Sequence, residues 1–286
     1  MNAGIQYDPK NEAEVAYWNS TAGRHWVERQ ESQDTLLAPI LTAALERAQA
    51  RPGERVVDIG CGTGASSIEL GKQVASGQVL GVDVSAPMLA RAGERIPPGA
   101  PIKFVRADAT TYKFEPAAFD LLFSRFGVMF FAEPARAFAN LRAALKPGGR
   151  LVFACWRKFD ENGWLQVPLR AAQAHVPPLP RLGPEDPGPF SFADEARVQR
   201  ILADAGFAAV KLEPRDFALD IACGRGLDEA LQTAMEIGPT ARALQDQNAE
   251  VRTAVATSVR HALQLHQRGN QVPLGAAIWI VTATNG

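Results

Sequence analysis

Apolar positions along the chain change period twice. Leu36, Leu37, Ile40, Leu41 and Leu45 recur at spacings of three and four, so residues 1–53 are predicted to be helical with one buried face. From 54 to 156 short apolar runs alternate with helix-like stretches, which predicts parallel strands joined by right-handed crossovers. Residues 157–192 then carry Pro168, Pro177, Pro178, Pro180, Pro184, Pro187 and Pro189, too many for regular structure beyond a short helix at 164–175. Trp164, Leu165, Val167, Leu169 and Phe190 give that stretch apolar surface to bury, which fits a cap or lid better than a linker. Beyond it the pattern predicts a helix at 193–205 closed by Gly206, a strand at 210–221, two helices within 227–267 broken near Gly238-Pro239, and a last strand at 276–284. Four parts are expected: 1–53, 54–156, 157–192, and 193–286 with a helical insertion at about 224–275.

The densest chemical signal is Val-Val-Asp-Ile-Gly-Cys-Gly-Thr-Gly at 56–64, an apolar strand entering a glycine turn ahead of a helical stretch at 65–74. Glycines at 60, 62 and 64 allow positive φ and close approach of a ligand to the backbone, and a nucleotide-like cofactor is the natural occupant. Gly60, Gly62 and Ala65 also satisfy the spacing by which a strand, turn and helix hold a dinucleotide pyrophosphate, so the loop alone leaves the cofactor open. Asp83 ends the next apolar run, where a carboxylate accepts from both ribose hydroxyls in either kind of cofactor site.

Further blocks follow in order: Arg106-Ala107-Asp108-Ala109 after a third apolar run, Phe119-Asp120 opening a fourth, and Leu145-Lys146-Pro147-Gly148-Gly149-Arg150-Leu151 before a fifth. Taken with the glycine turn, this order resembles the class I S-adenosylmethionine-dependent methyltransferases, nearest the branch of ubiquinone and menaquinone biosynthesis enzymes and other small-molecule methyltransferases. The resemblance covers residues 54–155. It implies an α/β fold, a doubly wound, mostly parallel, seven-stranded Rossmann-like sheet with helical cap insertions. It further implies S-adenosylmethionine as cofactor, S-adenosylhomocysteine as product and a small-molecule methyl acceptor.

Carried over residue by residue, the resemblance assigns the cofactor to Gly60, Cys61, Gly62, Thr63 and Gly64 in the loop, with Asp58 anchoring the methionine end and Asp83 the ribose. Val84 is a further cofactor-binding position, Met88 falls on the adenine face, and Asp108 with Ala109 at its edge. Ser124 or Arg125 faces the cofactor after the fourth strand, where quinone-pathway relatives carry Ser-Phe-Gly. The aromatic cluster at 17–26, with Trp26, folds over the site. Local sequence leaves other roles open: Asp58 and Thr63 holding loop amides, Asp108 as a helix N-cap, Met88 as core, and Cys61 as a small packed residue with no cation nearby in sequence to activate it.

Composition narrows the class. Thirty basic and 31 acidic residues leave a net charge of −1, no footprint for nucleic acid or an anionic membrane. The stretch at 124–131 also lacks the Asn/Asp-Pro-Pro-aromatic motif that resembled nucleic-acid amino-methyltransferases carry, which disfavours a base as substrate. Cys61, Cys155 and Cys223 are far apart and form neither a disulfide framework nor a metal site. Residues 1–15 lack the basic start and apolar core of a signal peptide, and no apolar run approaches the roughly 20 residues that span a bilayer, so a cytoplasmic location is expected. None of the four histidines is singled out as a base, and no catalytic residue is assigned. Phe126, Phe130, Phe159 and Trp164 motivate a partly apolar or aromatic acceptor, and the apolar cap surface is compatible with a homodimer. Two alternatives stay open at this stage: an NAD-dependent oxidoreductase using the same turn, and a non-catalytic cofactor-binding module with 224–275 as its interaction surface.

Overall fold

The computed structural model describes residues 5–179, 183 and 185–286; Pro180 and Pro184 of the proline-rich stretch lie outside the described residues. Strands β1 (Arg55–Ile59), β2 (Gln78–Asp83), β3 (Ile102–Arg106), β4 (Phe119–Arg125), β5 (Leu145–Trp156), β6 (Ala208–Asp220) and β7 (Pro273–Thr284) form one sheet in the order β3-β2-β1-β4-β5-β7-β6. The first five are parallel, as the alternating pattern predicts. The sheet as a whole is mixed, because β7 runs antiparallel to both β5 and β6. Insertion of this reversed strand between β5 and β6 departs from the 3-2-1-4-5-6 order of dinucleotide-binding sheets.

Helices α1 (Glu12–Trp18), α2 (Thr21–Glu28) and α3 (Gln30–Ala48) precede the sheet, and α3 buries the predicted stripe of Leu36, Leu37, Ile40, Leu41 and Leu45. α4 (Ala65–Val74) follows β1 with the boundaries expected from the sequence, α5 (Ala86–Glu94) follows β2, and α6 (Pro134–Ala144) leads into β5. Proline in the first turn of α5 and α6 is at home there, since the N–H it lacks has no intrahelical partner. The fifth strand begins at Leu145, so Lys146-Pro147-Gly148-Gly149 lies within the observed strand rather than ahead of it.

The cap comprises α7 (Gly163–Ala172) and a helical insertion between β6 and β7, whereas α8 (Glu195–Asp204) packs on α6, leads into β6 and is closed by Gly206 at φ +85° as predicted. That insertion holds three helices, α9 (Leu227–Glu236), α10 (Gly238–Ala243) and α11 (Ala249–Gln264), where two are expected from the sequence. Gly238 at φ +73° with Pro239 makes the first break, and the second falls where the Asn248 side chain accepts from Val251 N and starts α11. Both α9 and α11 pack on α7. Asn162, fully buried, fastens α7 to the sheet: its Oδ1 accepts from Ala277 N at 3.0 Å and its Nδ2 donates to Ala277 O at 3.2 Å, completing the ladder edge of β7. Among the described residues no helix is long and apolar enough to cross a membrane.

Candidate cofactor and acceptor site

The C-terminal ends of β1, β2 and β4 converge where the order of a doubly wound sheet reverses, the usual place for a ligand. The loop after β1 turns there on Gly60, Gly62 and Gly64, with φ of +64°, +54° and +85°. It is pressed against the loop after β4, since a Cβ on Gly60 would lie 2.5 Å from Gly127 Cα, and against α5, since one on Gly62 would lie 2.8 Å from Met88 Cε. Asp83, at the end of β2, accepts from Gly62 N and from Ser85 N, both at 2.8 Å, so it ties the glycine loop to the start of α5. Burial raises its pKa, opposed by the amides of Ser85, Gly62 and Val84.

A cavity of about 590 Å³ opens over this bend and is bounded by the sheet end, α1, α2 and the cap. Gly60, Cys61, Gly62 and Thr63 line it, as do Asp83, Val84 and Met88. Asp108, Ala109, Arg125 and Trp26 complete the predicted residues that reach it. Asp58, Gly64 and Ser124 lie one layer behind. Asp58 Oδ2 accepts from the hydroxyls of Ser66 and Ser67, and burial pushes its carboxyl up to about 6 against the pull of those two hydroxyls. Gly64 packs on Phe104 and Ala92 at the start of α4. Ser124 donates its hydroxyl to Ile59 O at 2.7 Å and accepts from Gly127 N, pinning the two loops together. Cys61 faces an apolar setting in which burial, then Asp83, raises its thiol pKa, so it is an unreactive packing residue.

Arg125 stands out electrostatically. Its Nη1 is buried without a partner among the described residues, while Asp34 and Asp58 act on it only through space; burial, the largest influence, lowers its pKa. An unpaired guanidinium beside a cavity is costly unless an anion arrives to meet it. The next residue, Phe126, is held at φ +66°, a strained setting for a side chain with a Cβ, and its ring stacks on Trp156 at 4.1 Å and 10°.

Past that pair the walls become apolar. Phe159 and Phe190 meet edge to face at 5.4 Å, and Trp164, Leu165 and Leu169 of α7 close the chamber. The predicted aromatic cluster forms the other wall: Trp18 packs edge-on against Trp26 at 6.1 Å and against Phe130 at 5.3 Å. At the rim the Arg242 guanidinium of α10 sits 5.6 Å from the Tyr17 ring, beside Glu14, whose carboxyl burial pushes up and Arg242 pulls down. Leu37, Asn11, Arg242 and Trp156 are cavity residues that sequence reading did not assign; no local pattern marks them, because the fold brings them in from distant segments.

The residues present fit an adenosyl amino-acid cofactor. A side-chain-free bend leaves room for a tail, an acid stands at or just past the tip of each of two strands, and an unpaired guanidinium lines the same cavity.

The family model described as a methyltransferase domain matches residues 57–153. A demethylmenaquinone methyltransferase of Beutenbergia cavernae is 30% identical over 181 residues, covering 59% of this chain and 71% of that protein. A 2-methyl-6-phytyl-1,4-hydroquinone methyltransferase of Synechocystis sp. is 36% identical over 118 residues, covering 41% of this chain but only 36% of its own length. The fold also matches that of Haemonchus contortus phosphoethanolamine N-methyltransferase 2 in complex with S-adenosyl-L-methionine, with a TM-score of 0.53 and 22% identity over 86% of this chain and 52% of that one. The chain belongs to the S-adenosylmethionine-dependent methyltransferase family.

Proposed function

We propose that this chain moves a methyl group from S-adenosylmethionine to a small, partly apolar or aromatic acceptor and releases S-adenosylhomocysteine. The observation that carries this reading is the continuity of one cavity, from a glycine cradle with Asp83, Asp108 and Arg125 to a chamber walled by Phe126, Trp156, Phe159 and Trp164. Asp83 would hold the ribose hydroxyls, Asp108 the adenine edge, and Arg125 the cofactor carboxylate in charge-assisted contact. Thr63 and the amides at Gly60 and Gly62 would border the amino-acid tail.

When bound, the cofactor supplies an electrophilic methyl group on a positive sulfur. What remains for the chain is positioning and exclusion of water. Phe126 and Trp156 stand between cradle and chamber, where their rings set the face on which an acceptor approaches. Trp18, Trp26 and Phe130 cover the opposite side and keep it dry. The balance of charge, −1 over the chain, supports a small acceptor over a nucleic acid. Incubation with methyl-labelled S-adenosylmethionine and a panel of hydroquinones, phenols and aliphatic acids tests the proposal. Cofactor-dependent label in an aromatic product is expected; label confined to aliphatic acids, or none in any acceptor including a cell-extract fraction of small molecules, contradicts it.

A further inference from the structure

Asp108 is not a free carboxylate waiting for a ligand. Its Oδ1 accepts from Thr110 N at 2.8 Å, and its Oδ2 accepts from Asp8 N at 2.9 Å and from the Asn11 side-chain Nδ2 at 2.7 Å. Two of these three donors come from the segment ahead of α1, about a hundred residues away in sequence. The orientation of the Asn11 amide is fixed independently, because its Oδ1 accepts from Ala132 N at 2.9 Å, leaving the NH₂ end toward Asp108 and Thr110 Oγ1. All three side chains are withdrawn from water, Asp108 at 2%, Thr110 at 3% and Asn11 at 5% exposure, yet both Asp108 and Asn11 border the cavity. Asp8 accepts from Lys10 N within the segment, and its ion pair with Arg136 of α6 anchors the segment from outside.

We infer that Asn11 is a positioning residue for base recognition: it holds the Asp108 carboxylate so that its remaining acceptor sites face the amino group of adenine and reject a base bearing an oxygen there. This rests on the proposed placement of the adenine edge at Asp108. A carboxylate gripped by three N–H donors presents only acceptors, so it favours a 6-amino group and repels a 6-oxo group, whose lone pairs meet its own. Selectivity of this kind depends on the carboxylate being unable to rotate away. Thr110 N alone holds one oxygen; Asn11 and the Asp8 amide hold the other. Without Asn11 the carboxylate keeps a single donor on that oxygen and gains freedom to turn, so discrimination between bases falls more than affinity in general.

The test is calorimetric titration of S-adenosylhomocysteine and S-inosylhomocysteine, which differ at that one exocyclic position, against the whole chain and variants. The unaltered protein is expected to prefer the adenosyl compound at least tenfold, and Asn11→Ala to lower that preference at least threefold. Asp83→Ala, which removes a ribose contact, is expected to weaken both compounds alike and leave the ratio unchanged. Asn11→Ser, which keeps a small polar group there without the amide that bridges Asp108 and Ala132 N, is expected to lower the ratio likewise and serves where Asn11→Ala fails to fold by circular dichroism. An unchanged ratio in a folded Asn11 variant, or equal weakening of both compounds, overturns the positioning role while leaving the adenine placement intact. Absence of any preference in the unaltered protein overturns the adenine placement itself and the inference with it.

Discussion

Replacing Gly127 by alanine should disable cofactor binding without altering any side chain proposed to hold the cofactor. A Cβ at that position would lie 2.6 Å from Ile59 O, 2.7 Å from Gly60 Cα and 3.1 Å from Ser124 Oγ. Two of these are backbone atoms of the very segment that forms the glycine bend, and they cannot swing aside as a long side chain would. To reach ordinary van der Waals separation the two loops must part by several tenths of an ångström. Overpacking of this kind costs about 1–3 kcal/mol. Parting also breaks the Ser124 link, in which the hydroxyl bridges Ile59 O and Gly127 N. The bend carries Gly62 N, held by Asp83, so its displacement shifts that carboxylate as well. A tenfold or greater loss of S-adenosylhomocysteine affinity, about 1.4 kcal/mol, is expected by calorimetry, with a fall in melting temperature of about 2–6 °C. Gly93→Ala is the matched control, because it lies within α5 with no heavy atom within 4 Å of the added carbon. It should stabilise by about 0.5–1 kcal/mol and leave affinity unchanged. Unaltered affinity and melting temperature in Gly127→Ala would refute the reasoning.

Three further outcomes follow from the same geometry. Asp83→Ala removes the acceptor for Gly62 N and Ser85 N as well as the proposed ribose contact, and should weaken S-adenosylhomocysteine binding by more than about 1 kcal/mol; a change under twofold in calorimetry speaks against the ribose assignment. Arg125→Met should weaken S-adenosylhomocysteine but not 5′-methylthioadenosine, which has no amino-acid tail, and equal losses for both compounds would argue against a carboxylate partner. Asp58 has its folded pKa pushed up to about 6 from 3.8, so its contribution to stability is complete below the lower value and is lost as pH rises through the higher one. The difference of about two units corresponds to about 3 kcal/mol, and thermal melts between pH 3.5 and 7 should show a pH dependence that Asp58→Asn flattens; parallel curves for the two proteins would contradict the burial argument.

The sequence carried the parts of the fold that local chemistry specifies. The glycine bend and α4 are short-range: three glycines and the apolar period of 65–74 suffice, and the observed helix is Ala65–Val74. The parallel half of the sheet follows from its alternation of runs, and Gly206 marks the end of α8 through its φ of +85°. The reversed β7 gave no such signal, since an apolar strand reads alike in either direction and its pairing with β5 and β6 is a tertiary fact. The insertion between those strands was read as two helices because Gly238-Pro239 is a strong breaker and the turn before Asn248 is not.

Within the site, the placement of Asp83 at a strand tip beside the cavity was legible because it ends the apolar run at 79–82. The layering was not. Asp58, Gly64 and Ser124 stand in the same blocks as the cavity residues, and only coordinates separate a residue that borders a ligand from one that braces the loop behind it. Asn11 and Asp8 were invisible for a different reason: their partner Asp108 is about a hundred residues distant, and no spacing rule spans that interval.

Competitive calorimetry bears most directly on the central claim, that the bend and the two strand-tip acids form a pocket for an adenosyl amino acid. S-adenosylhomocysteine is expected to bind one molecule per chain with a dissociation constant of about 1–100 μM, and NADH in excess should leave that isotherm unchanged. No heat with S-adenosylhomocysteine, or its displacement by NADH, would contradict the account.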